Sequence, residues 1–198
     1  MKNGQETLTE LPPIPPLPAL PEKSREQGGF LRIFIVTLLT ALFVRFYIAQ
    51  PFIVNGQSME PTFKNGEYLI IDEITYRFRN PERGEVIVFR YPEDTSTFFI
   101  KRVIGLPHET VQVDGNDIYV TSASTTQKIE ELYLNGDFWD NITKSLGENE
   151  YFVMGDNRLV SSDSRRWGPV TKNLIIGRAF IRFLPIPEMK LFPGDSTR

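Results

Sequence analysis

The chain has 198 residues, 40% of them hydrophobic and 24% charged, which leaves room for one domain of ordinary size with an appendage and excludes a wholly disordered protein. A formal net charge of -3 gives no general attraction to nucleic acid, whose binders carry a basic face. With no cysteine and a single histidine, His108, the chain has no disulfide, thiolate metal site, cysteine nucleophile or multi-histidine zinc centre, and neither metal nor cofactor is expected.

Residues 1–29 contain Leu11-Pro12-Pro13-Ile14-Pro15-Pro16-Leu17-Pro18 and then Pro21. That proline density opposes helix and sheet and predicts a flexible, extended tail. A ligand for a proline-motif receptor is the functional alternative.

Residues 30–49 are apolar apart from Arg32, Thr37, Thr40, Arg45 and the Tyr47 hydroxyl. About twenty helical residues cross a bilayer core, so this segment is expected to be an uncleaved transmembrane anchor, with Arg32 near one interface and Arg45 and Tyr47 toward the other. A soluble helix is the rival, because the apolar core between the two arginines is shorter than a full crossing. A long proline-rich, acidic leader is a poor start for a cleavable signal peptide. Lys23, Arg25 and Arg32 on one side, and Arg45 and Lys64 on the other, leave little charge bias to fix orientation.

Residues 50–198 read as a mainly β, antiparallel catalytic domain. Short β-branched or aromatic runs separated by Gly, Pro, Asn and Asp predict strands at 68–71, 85–91, 98–104, 110–113, 118–120, 151–154 and 174–183. Asp114-Gly115-Asn116-Asp117 between two alternating runs predicts a hairpin. Residues 121–149 read as a surface insertion with a short helix near Ile129 to Leu134, and residues 184–198 as a tail.

Two residues carry the chemistry. Lys101 sits in the apolar run Phe98-Phe99-Ile100-Lys101-Arg102-Val103-Ile104, where lost hydration favours the neutral amine and makes it a candidate general base. Ser58, in Val54-Asn55-Gly56-Gln57-Ser58-Met59-Glu60-Pro61-Thr62, lies on a bend that can present its oxygen to a substrate carbonyl. A third stretch, Gly155-Asp156-Asn157-Arg158 followed by Ser161 to Arg165, packs hydroxyls and opposite charges into a turn, as expected of a polar shell orienting an amine.

These stretches, taken in order behind the apolar segment, resemble bacterial type I signal peptidases, membrane-anchored serine proteases that remove signal peptides from exported proteins. The likeness runs through Gly56-x-Ser58-Met59-x-Pro61-Thr62, Arg83-Gly84-Glu85-Val86-Ile87-Val88-Phe89, Lys101 to Pro107, and Gly155 to Arg165. The resemblance implies Ser58 as nucleophile and Lys101 as its base, Ser161 hydrogen-bonded to the lysine amine, and Asp163 ion-paired with Arg165 behind them. It implies that Phe52, Val54, Met59, Phe63 and Ile100 line shallow pockets for the small residues of an A-x-A-like site. The implied partners are preprotein signal peptides and the lipid bilayer, at the cell membrane with the catalytic domain on the exported side.

Two departures stand out. Gly56 occupies the place where some family members carry a serine that helps bind the oxyanion, and His108 the place where glycine is usual. His108 reads as an exposed turn residue, histidine being among those that tolerate positive φ, with a Ser/His/Asp triad as the lesser alternative. Two other functions are weighed against the signal peptidase. A self-cleaving repressor-type Ser/Lys peptidase lacks a counterpart for the anchor, and a membrane-bound binding module with a dead protease fold is opposed by the intact Ser58 and Lys101.

Overall fold

The computed structural model describes residues 24–47, 49–131, 134 and 138–195. The proline-rich stretch of residues 11–21 lies outside the described residues. The chain divides into two compact units, residues 1–40 and 41–198.

Helix α1 (Ser24–Tyr47) starts before the apolar run and carries exposed large side chains from Phe30 to Leu42. Among the described residues no helix is long and apolar enough to cross a membrane. The helix ends at Tyr47 and Ala49 already belongs to a strand, so the helical segment stops short of residue 49, where the apolar stretch was expected to end.

The described strands follow in chain order as β1 (Ala49–Ile53), β2 (Tyr68–Asp72), β3 (Val86–Tyr91), β4 (Asp94–Gly105), β5 (Thr110–Gly115) and β6 (Asp117–Ser122). They continue as β7 (Thr125–Lys128), β8 (Asp140–Ser145), β9 (Glu150–Met154), β10 (Val170–Thr171), β11 (Ile175–Leu184) and β12 (Lys190–Leu191). Two one-turn helices, α2 (Thr75–Phe78) and α3 (Ser164–Trp167), interrupt them. Every pairing is antiparallel, in a large sheet ordered β1-β2-β11-β3-β4-β9-β10 with β12 on β11, and a small sheet ordered β7-β6-β5-β8.

The seven strands expected from the sequence correspond to β2, β3, β4, β5, β6, β9 and β11, and Asp114 pairs with Asp117 across the expected hairpin. In β3 the alternation is visible residue by residue. Val86 and Val88 join an apolar cluster with Leu69, Ile71 and Val54, whereas Ile87 and Phe89 join one with Val103 and Val153 on the other face. Ile87 stands opposite Lys101 and Val88 opposite Ile100.

Residues 121–149 are not a mere surface insertion. They supply the end of β6, with β7 and β8, and so complete the small sheet around β5. The helix expected near Ile129 to Leu134 is absent among the described residues there, 132 and 133 lying outside them. Ile129, Leu134 and Ile142 instead pack on the small sheet's core of Val111, Val113, Ile118, Val120 and Phe138, where burying three apolar side chains outweighs a short isolated helix that is marginal in water.

Candidate active site

The bend after β1 is pinned from several sides. The Val54 amide donates to Glu67 O at 2.9 Å, Gly66 N donates to Val54 O at 2.8 Å, and Gly56 N donates to Asn65 Oδ1 at 2.8 Å. Gly56 has φ +93°, a left-handed conformation that a side chain would strain. Met59 and Phe63, both fully buried, anchor the descending arm. Ser58 is left half-buried at the bend.

Lys101 of β4 brings its Nζ to 2.7 Å from Ser58 Oγ and 2.9 Å from Ile100 O, beside the Phe99 ring. Its burial lowers the amine from 10.5 to about 8, against the opposing pull of the Asp163 and Asp156 carboxylates. At that value roughly a tenth of the amine is neutral at pH 7, a fraction that grows as pH rises, and the neutral form can accept a proton.

The wall behind the pair comes from the 155–165 turn. Asn157 N donates to Ser58 O at 3.0 Å, and Gly155 N donates to Asp163 Oδ2 at 3.0 Å. Asp163 also caps α3 by accepting from Arg165 N, and Arg165 Nε donates back to Asp163 Oδ1 at 2.9 Å. Arg165 further donates to Arg158 O at 2.7 Å. A Cβ on Gly155 would collide with both Ser161 Oγ and Ser58 O, so glycine is needed there for the two segments to approach.

Ser161 does not play the part the resemblance implied. It is buried and its amide donates to Asn157 O at 3.1 Å, but its Oγ has no hydrogen-bond partner among the described residues. Lys101 spends its contacts on Ser58 and on the carbonyl of its own neighbour instead.

An open cleft of about 790 Å³ begins at Ser58 and Lys101. Phe52, Val54 and Ile100 line it, with Leu69 and Val88 as floor. Met59 and Phe63 do not line it. They belong to the apolar cluster beneath, because a bend that must hold a reactive serine still needs apolar anchors in the core. β1 pairs only with β2, and residues 98–100 of β4 pair only with β3, so both rims present unpaired strand edges among the described residues.

A second layer was not read from the sequence. Arg102, almost fully buried, donates from Nε to Asp156 Oδ1 at 2.8 Å and from its terminal nitrogen to Asp156 Oδ2 at 2.5 Å, while Thr62 Oγ1 donates to the same Oδ2 at 2.5 Å. This ties the serine bend to the 155–165 turn. Arg158 is held bidentately by Glu131 at 2.6 and 2.5 Å. The one available signal was a charged residue in an apolar strand, Arg102, whose burial demands a counter-charge.

His108 is exposed at φ +65° in the turn between β4 and β5, donating its amide to Gly147 O at 3.3 Å, and takes no part in the cleft. Among the described residues no three His, Asp or Glu side chains gather to hold a metal ion.

A profile of the family described as signal peptidase, peptidase S26, matches residues 28–184. A probable signal peptidase I-2 from Synechocystis sp. is 36% identical over 171 residues, 83% of this chain and 76% of that protein. A signal peptidase I from Leptolyngbya laminosa is 37% identical over 172 residues, 81% of this chain and 82% of that protein. One from Bacillus amyloliquefaciens is 33% identical over 181 residues, 85% and 91% of the two chains. A crystal structure of a signal peptidase I from Enterococcus faecalis is 30% identical, covers 50% of this chain and 97% of that one, and has a TM-score of 0.45.

Proposed function

This chain belongs to the signal peptidase family, peptidase S26, as a signal peptidase I, a serine protease, and from that premise we propose that Ser58 is its nucleophile and Lys101 its general base. The observation that carries the reading is the 2.7 Å contact between a buried amine of lowered proton affinity and a serine hydroxyl at the mouth of an apolar cleft.

The neutral Lys101 amine takes the Ser58 proton as Oγ attacks the scissile carbonyl carbon, and the Ser58 backbone N–H stabilises the oxyanion that forms. The ammonium then gives its proton to the leaving amine, leaving an acyl ester on Ser58. Lys101, neutral again, takes a proton from water as the water oxygen attacks the ester, and then gives it to Ser58 Oγ as the acyl–oxygen bond breaks and the carboxyl product leaves. Asp163 and Arg165 act by holding the turn that carries Gly155 and Asn157.

The substrate is read as a strand lying between the open edges of β1 and β4, with alternate side chains directed into the cleft. Phe52, Val54 and Ile100 leave shallow apolar space there, which fits the small residues of an A-x-A-like site. Attachment to the cell membrane is assigned to α1, whose apolar side chains from Phe30 to Leu42 stand exposed. The peptidase domain then faces the exported side. A preprotein held in the same bilayer meets it at a raised effective concentration.

Detergent-solubilised protein is mixed with a preprotein bearing an A-x-A site, and the cut is located by mass. Cleavage after the second alanine by the parent, and by neither Ser58→Ala nor Lys101→Ala, is the expected result. Retained cleavage in Lys101→Ala with loss in His108→Ala would sink the base assignment. Protease added to sealed vesicles is expected to digest the domain and spare residues 1–23, and the opposite pattern would reverse the topology.

A further inference from the structure

The cleft does not end where the expected pockets end. Following each strand by two residues, so as to stay on one face of the sheet, leads from Val54 and Phe52 to Gln50 on β1, from Leu69 and Ile71 to Glu73 past β2, from Val88 to Arg90 on β3, and from Ile100 to Phe98 on β4. Gln50, Glu73, Arg90 and Phe98, with Arg77 and Ile176, line a second cavity of about 350 Å³. It lies on the same face as the first, at the end remote from Ser58. Phe98 lines both cavities, and its ring meets Phe52 edge-on at 5.6 Å, forming a shoulder between them.

This second cavity is polar where the first is apolar. Glu73 Oε1 is buried there with no hydrogen-bond partner among the described residues, an arrangement that costs free energy unless something donates to it. Burial raises the Glu73 carboxyl above its usual range, with Arg77 pulling the other way. Arg77 and Arg90 are exposed at the rim.

Spacing says which substrate residue arrives. An extended chain advances about 3.3 Å per residue, so the three residues from Lys101 to Phe98 cover roughly 10 Å. Side chains alternate, so if the first and third residues before the cut point into the apolar part of the cleft, the fifth points into the cavity beyond Phe98. A lysine there would meet Arg77 and Arg90, and an acidic residue would meet Glu73. An uncharged amide satisfies both, with its NH₂ donating to Glu73 and its carbonyl accepting from a guanidinium.

Resting on the peptidase reading above, we propose that the Gln50–Glu73–Arg90 cavity is a distal specificity subsite that takes an asparagine or glutamine side chain at the fifth residue before the scissile bond. Glu73 is its specificity-determining residue.

The test uses the full chain in detergent with four peptides that share one A-x-A site and differ only in the fifth residue before the cut, as Gln, Leu, Glu or Lys. The parent is expected to show kcat/KM about tenfold higher for Gln than for Leu, the size expected of one hydrogen bond to a charged acceptor, with the difference in KM. Glu and Lys are expected at or below Leu. Glu73→Ala is expected to bring the Gln-to-Leu ratio near one, and Glu73→Gln, which keeps an acceptor oxygen, to retain part of it. Equal kcat/KM for all four peptides in the parent, or a Gln preference that survives in Glu73→Ala, would overturn the subsite while leaving the peptidase reading standing. Absence of any cut that depends on Ser58 would remove both.

Discussion

The two sheets of the peptidase domain solve opposite problems. The small sheet buries an all-apolar core, with Val111, Val113, Ile118 and Val120 turned inward and polar residues such as Gln112 and Thr121 outward. The large sheet, where β4 meets β9 and the following turn, buries Lys101, Arg102, Asp156, Ser161 and Asp163. Apolar burial stabilises a fold without directing any chemistry, whereas buried charges cost desolvation unless paired, and one left with only partial compensation becomes reactive. Arg102 has Asp156 and Arg165 has Asp163 at hydrogen-bond distance. Among the described residues Lys101 has no carboxylate at that distance, only a hydroxyl and a carbonyl. The difference between a structural cation and a catalytic one is here the identity of its nearest acceptor.

The sharpest way to break that contrast is at the pair itself. Ser58→Ala and Lys101→Met are each expected to lower preprotein cleavage on the order of 10⁴-fold or more. Lys101→Met alone is also expected to raise stability at pH 7, by up to about 3 kcal/mol for an amine moved from 10.5 to about 8, read by denaturant titration. A destabilised Lys101→Met would mean that the amine is better compensated than its contacts imply.

Next in size is Gly155→Ala. Its methyl group must displace both Ser161 and the Ser58 carbonyl, and a displacement near 1 Å is expected to lower kcat on the order of 10²-fold. Steady-state kinetics would show it, and unchanged kcat would mean that the serine bend yields without losing its alignment.

The pH profile sharpens the electrostatic side. Activity is expected to rise with pH through an apparent pKa of about 8 as Lys101 loses its proton. Asp163 raises the Lys101 value, so Asp163→Asn, which keeps an acceptor for Gly155 N, is expected to move that limb to lower pH. Stability carries the matching sign. The folded value lies below the unfolded one, so the unfolded chain binds more protons between about 8 and 10.5, and the lysine's cost is full below that window and fades as pH rises through it. A limb that stays in place in Asp163→Asn would assign the shift to burial alone.

The smallest effect belongs to the small sheet. Ile118→Val is expected to cost about 1 kcal/mol of stability by losing one buried methylene, with cleavage at room temperature unchanged. A fall in kcat there would mean that the two sheets are coupled more tightly than their cores suggest.

The same contrast explains what could be read from the chain. Local alternation revealed the paired strands and the Asp114–Asp117 hairpin, and a lysine among Phe99, Ile100 and Val103 announced its own burial. Asp163 and Arg165 are two positions apart, so their pairing was also within reach. Thr62, Arg102 and Asp156 meet across separations of 40 to 94 residues, and no periodicity encodes which charge will find which. The resemblance implies Met59 and Phe63 as cleft residues, yet they fall in the core, and nothing in the sequence beside Ser58 separates an apolar side chain that faces substrate from one that faces inward. β7 and β8 were missed because Thr125 to Lys128 and Asp140 to Ser145 are mostly exposed edge strands with little apolar pattern to detect. The Ser161 hydroxyl sits on a turn far along the chain from Lys101, and no local pattern encodes which way it points.

Consecutive residues leave a strand on opposite faces, so Ile100, opposite Val88, and Lys101, opposite Ile87, owe their separate tasks to one alignment of β4 on β3. Sliding β4 by a single residue would set either an isoleucine, which accepts no proton, or the guanidinium of Arg102, which never gives one up at accessible pH, in the place of the amine. A misaligned molecule could keep much of its hydrogen-bond ladder and still be inert. Turnover per folded molecule is therefore a gauge of strand alignment, sensitive to an error that bulk secondary structure would barely register.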